Sequence, residues 1–224
     1  MNTAASLMLS VGVVTMALSG CGSAPPVPDW QMNAHGALER ASVAYLSGKT
    51  SVEQAEFQRA REQLAATGKV ELAIRAELAR CATRVAALVF EACPGYAALE
   101  QDASAADRAY AAYLAGTLAA ADAALLPAQH RAVAAAATDT AATAAVQAIA
   151  DPLSRLVAAG AVLRANRATP ALLAAASDTA SAQGWRRPLL AWLGVQALRA
   201  EQGGDVQEAQ RIKRRIALAQ GNAA

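Results

Sequence analysis

A chain of 224 residues with 20 basic and 18 acidic side chains has too little charge surplus to grip a polyanion, so nucleic acid is not expected as a partner. Hydrophobic residues reach 55% but aromatics only 4%, so alanine supplies most of the apolar content. Alanine loses no rotamer freedom in a helix, whereas sheets draw on β-branched and aromatic residues, so the composition predicts an all-α fold of thin, closely packed helices.

The first element in chain order is the apolar run LMLSVGVVTMAL at residues 7–18, which has signal-peptide length and is too short for a spanning helix. Leu18, Ser19, Gly20 and Cys21 follow it, and this tetrad resembles the lipobox of bacterial lipoproteins. The resemblance implies cleavage before Cys21, a diacylglycerol on its thiol and an acyl chain on the new amine. Two or three acyl chains suffice for stable membrane attachment, where one is marginal. Gly22 is not the aspartate that retains enterobacterial lipoproteins in the inner membrane, so the resemblance points to the outer membrane, facing the periplasm. The segment MNTAAS carries no Lys or Arg, unlike a typical signal-peptide start, and an upstream start would supply that charge without touching the tetrad. Residues 1–20 are therefore expected to be removed. Residues 21–28, with three prolines, read as the lipidated cysteine and a semi-extended tether, and residues 29–224 as an Ala-rich helical domain.

Within that domain Ala34, Ala37, Leu38, Ala41 and Tyr45 recur at helical spacing after Asp29, placed as an N-cap, with Gly48 as a stop. Thr50 and Glu53 have capping-box spacing at the start of a second helix, carrying Phe57, Ala60 and Leu64 to Gly68, and the short connection makes the pair an antiparallel hairpin. A third helix is predicted from Val70 to Val89, burying Leu72, Ala76, Leu78, Ala79, Cys81, Val85 and Leu88, before Cys93-Pro94-Gly95 breaks it. Ser104 and Asp107 open a helix with Tyr110, Tyr113 and Leu114, and Pro127 a helix through Val133. Between 132 and 150 alanine leaves no face to read, so that stretch is expected as a helix or a flexible connector, and as the place where two subdomains would divide. Asp151-Pro152 and Thr169-Pro170 each pair an N-cap with a first-turn proline. Leu189, Leu190, Leu193, Ala197 and Ala200 line a further helix to Gly203-Gly204, and Asp205 caps the last one, with Ile212, Ile216 and Ala219 inward. The expectation is nine or ten helices.

Leu193-Gly194, Ala197, Gly204-Asp205 and Glu208-Ala209 resemble the signature of a tetratricopeptide repeat, and Gly160 precedes Gly194 by that family's period. The resemblance implies stacked antiparallel hairpins, either as a right-handed solenoid or as an irregular bundle.

Cys81 and Cys93 are the domain's thiols besides Cys21. An oxidising compartment allows a disulfide, but a helix running to Val89 would hold the pair too far apart, so a bond and two buried free cysteines both stay open. His35 and His130 stand in separate segments with no metal-ligand or HExxH spacing and read as helix-surface residues. Trp185 and Trp192 read as packing residues, and the cluster of Arg211, Lys213, Arg214 and Arg215 as a solvated face opposite Ile212 and Ile216. Neither the nucleophile elbow nor the phosphate-loop pattern occurs. No catalytic, metal or cofactor site is therefore expected. The sequence points to a non-enzymatic scaffold that binds a protein or peptide in the periplasm, with a structural subunit of an envelope assembly as the second reading and an enzyme with a dispersed site as the third.

Overall fold

The computed structural model describes residues 26–221, and the expected signal peptide, Cys21 and most of the tether lie outside these residues. Among the described residues the chain forms eleven α-helices, two short 3-10 helices and no strand, packed as a helical bundle. In order they are α1 (Asp29–Leu46), α2 (Thr50–Ala65), α3 (Val70–Ala86), α4 (Pro94–Ala97), α5 (Ala105–Ala115), α6 (Ala128–Ala134), α7 (Asp139–Gln147), α8 (Pro152–Arg164), α9 (Pro170–Ala182), α10 (Arg186–Gln202) and α11 (Val206–Gln220). The 3-10 turns, Glu100–Asp102 and Ala120–Leu125, flank α5. No helix among them is long and apolar enough to cross a membrane.

Several helix starts follow directly from local chemistry. Ser104 Oγ accepts from the backbone N–H of Asp107 while Asp107 receives the Ser104 N–H in return, a complete capping box. The Asp151, Thr169 and Asp205 side chains accept from the N–H three residues on. The expected box at Thr50 and Glu53 is not made, because tertiary partners win both groups. Arg187 Nη2 donates to Thr50 Oγ1 at 2.8 Å, and Arg80 Nε donates to Glu53 Oε1 at 2.7 Å. Asp29 is the first helical residue, with Pro28 in the cap position.

The third helix ends three residues earlier than its pattern predicts. Leu88 adopts φ 59°, and Leu88 N–H and Val89 N–H donate to the carbonyls of Val85 and Arg84, a Schellman closure built on a leucine. The last turn is thereby satisfied and the chain doubles back. Ala79, expected inside, is exposed, because the inward stripe of α3 runs instead through Ile74, Leu78, Ala82 and Val85.

That helix is the spine of the molecule. Its Cys81, Ala82, Val85 and Ala86 join the main core with residues of α5, α8, α9 and α10, while Ala76 packs under α1 and α2, and Ile74 and Leu78 meet Tyr96 and Ala103. Gly160 on α8 lies so close to α3 that a Cβ there would overlap the Val85 carbonyl, so the small side chain sets the approach of the two helices. Trp192, with no exposed surface, donates its indole N–H to the Ala86 carbonyl at 3.0 Å. Such contacts between helices far apart in sequence distinguish this bundle from a linear array, in which each repeat touches only its neighbours. Gly160 and Gly194 are likewise not equivalent, since Gly194 faces open space.

Residues 132–150 are folded into the same core rather than forming a break. Val133 on α6, Ala142 and Val146 on α7, and Ile149 after it belong to the cluster that holds α3, α5 and α8. Thr138 divides the stretch by capping α7, its hydroxyl accepting from Ala141 N–H at 3.1 Å.

Candidate binding grooves

The cysteines of the domain are brought together by the early end of α3. Cys81 and Cys93 form a disulfide with their Cα atoms 5.9 Å apart, inside the usual range of about 4.4–6.8 Å. Cys21 lies outside the described residues.

His35 is exposed on α1 and faces Glu39 across 3.3 Å, one turn on. His130 was expected on the surface and is instead inside, with 1% exposure. Its helix has only seven residues, too short for a periodic pattern to reveal which side is covered. Its ring packs on Tyr110 and Tyr113, and Nδ1 lies 3.4 Å from the Tyr113 hydroxyl. Desolvation pushes the imidazole down to about 4, with Asp151 opposing the shift, while burial pushes the Tyr113 phenol up. The ring is thus a neutral core group. No grouping of three or more His, Cys, Asp or Glu among the described residues is arranged to hold a metal ion.

The carboxy-terminal basic cluster is partly neutralised on its own surface. Arg211 grips Glu208 through two hydrogen bonds of 2.6 Å, which holds that carboxyl below the ordinary range, and Lys213 meets Glu201 at 2.5 Å. Trp192 is a core residue, and Trp185 is half-buried against the same hydrophobic core.

The larger concave surfaces are open grooves. One of about 620 Å³ runs along α9, α10 and α11. Pro170, Ala174 and Ala200 contribute apolar surface to it above the buried Leu173 and Ile212, and Asp178, Arg199, Glu208 and Arg215 supply both signs of charge. Its walls are fixed by cross-helix hydrogen bonds: Gln196 Nε2 donates to the Leu173 carbonyl at 2.9 Å, and Arg199 Nη1 to the Ala168 carbonyl at 3.0 Å. A second groove of about 600 Å³ lies beside the start of α1, where Trp30, Leu38, Leu64 and Leu72 face Lys69 and Arg75.

A smaller cavity, between α1, α2 and α3, is lined by Ser42, Tyr45, Glu53, Phe57, Arg80, Thr83 and Arg84 among others. It was not anticipated, because Glu53 looked like a capping residue, and nothing local in sequence signals that Arg80, 27 positions on, claims it. The grooves were equally hidden. Each is assembled from three helices whose individual patterns show an inward stripe but not the hollow left between them.

Compared with protein-family models, curated proteins and solved structures, the chain matches none.

Proposed function

We propose that this chain is a lipid-anchored protein of the bacterial envelope, held through Cys21 on the outer membrane, whose helical domain binds a protein or peptide partner without catalysing a reaction. The observation that carries the binding role is the groove along α9, α10 and α11, where apolar Pro170 and Ala174 lie beside charges of both signs and hydrogen bonds tie the walls together. Such a mixture suits a polypeptide, whose side chains present both characters, better than a uniformly charged polymer. The anchor reading rests on the Leu18–Cys21 tetrad and the apolar run before it.

The position of the groove supports the combination. Arg187, at the start of α10, donates through Nε to the Tyr45 carbonyl at 2.7 Å and stacks 4.1 Å from the Tyr45 ring, fastening the carboxy-terminal hairpin to the end of α1. The tether enters at the other end of α1, and 18 helical residues span about 27 Å. The carboxy-terminal hairpin is thereby attached away from the point of anchorage, with its groove open to a soluble partner.

A photo-crosslinking side chain at exposed Ala174, on the groove wall, tests the binding role in living cells. One discrete adduct is expected from Ala174 and none from exposed Val52 on α2, and Arg215→Glu in the groove should abolish it. Equal labelling from both positions, or an adduct indifferent to Arg215, would contradict the assignment.

A further inference from the structure

We propose that the cavity between α1, α2 and α3 is a binding site for one ordered water molecule, which donates a hydrogen bond to Glu53 Oε2. This goes beyond the groove and the anchor and depends on neither. Glu53 is 2% exposed, and its two carboxylate oxygens are treated unequally. Oε1 accepts from Arg80 Nε at 2.7 Å, whereas Oε2 is buried with no protein donor. A buried carboxylate oxygen left unpaired is strongly disfavoured, so a donor has to come from somewhere other than the protein.

Size and charge select the ligand. The cavity measures about 20 Å³. One water needs roughly 10–15 Å³ on this measure and two to four polar partners, so there is room for a single water and for little else. The lining residues that carry such partners are Glu53, Ser42, Thr83, Arg80 and Arg84. Thr83 Oγ1 donates to the Ala79 carbonyl at 3.0 Å, so in its 3.3 Å contact with Ser42 it is the acceptor, which leaves the Ser42 oxygen with lone pairs to offer. A bound cation would face two guanidinium groups and a bound anion would face Glu53. Water, which both donates and accepts, satisfies each without a net charge.

The same arginines stack on aromatic rings of the lining. Arg80 lies 4.4 Å over the Phe57 ring and Arg84 5.2 Å over the Tyr45 ring, and all four residues line the cavity. Glu53 Oε2 is itself closed to solvent, so a water held on it exchanges more slowly than a surface water.

Deuteron relaxation dispersion on the intact protein in detergent counts such long-lived internal waters. Ala41→Val places added methyl volume in the cavity lining, and Ser42→Val removes a polar partner while filling space. Each folded variant is expected to lose the contribution of one water relative to wild type. An unchanged count in both would overturn the proposal. Crystals soaked separately in rubidium and bromide salts provide the second readout. A single non-anomalous peak within hydrogen-bonding distance of Glu53 Oε2 is expected. A rubidium or bromide peak there, or a dry cavity with Oε2 turned to a protein donor, would overturn it.

Discussion

Burial keeps the His130 imidazole neutral down to about pH 4, whereas an unfolded chain protonates it near 6.5. Because the folded value is the lower one, the neutral ring's contribution is fully present above pH 6.5 and is lost as pH falls toward 4, when the unfolded state takes up the proton first. The difference of about 2.5 pH units corresponds to about 3 kcal/mol. Urea denaturation across this range should show the wild type losing stability more steeply than His130→Phe, and parallel curves would refute the burial account. Arg187 acts differently, joining three groups of the α1–α2 connection through one guanidinium. Its planar fork makes two directed hydrogen bonds while stacking on Tyr45, a combination lysine cannot reproduce.

Close approach between helices is set by single small residues, and the two glycines once linked by their spacing should respond in opposite directions. Gly160→Ala forces α8 away from the Val85 carbonyl and should lower stability by about 1–3 kcal/mol. Gly194→Ala adds a methyl to open space on α10 and should raise it by about 0.5–1 kcal/mol through helix propensity. Thermal denaturation of the two variants reads both signs. The disulfide ties Cys81 within α3 to Cys93 just before α4 with a sequence separation of 12, and for a loop of that size the chain-entropy model gives about 3 kcal/mol. Cys93→Ser should therefore lower the denaturation midpoint markedly, and reducing agent should do the same to wild type but not to the variant. Helix starts at Ser104, Asp151, Thr169 and Asp205 were legible because the capping partner sits three residues away in sequence. The start at Thr50 and the end at Ala86 were not, since distant arginines decide the first and a leucine in a left-handed turn decides the second. The split of 132–150 into α6 and α7 was hidden because alanine gives each face the same side chain.

Across the described residues, an Ala-rich chain with few aromatics holds eleven α-helices together by two means. Small side chains let backbones approach around α3, and arginines reach backbone carbonyls at or just beyond the ends of other helices. Arg155 donates to Ile149 O after α7, Arg164 to Leu114 O in α5, Arg167 to Ala136 O after α6, and Arg187 to Tyr45 O in α1. The groove that the proposed function uses is lined by α9, α10 and α11 above Leu173 and Ile212. Everything proposed about where the protein works depends on what happens at Cys21. Intact-mass spectrometry of the protein recovered from cell membranes decides it. The account predicts a chain beginning at Cys21, heavier than its polypeptide by a diacylglycerol and one further acyl chain. A chain that retains residues 1–20, or one cut elsewhere with Cys21 unmodified, would contradict it.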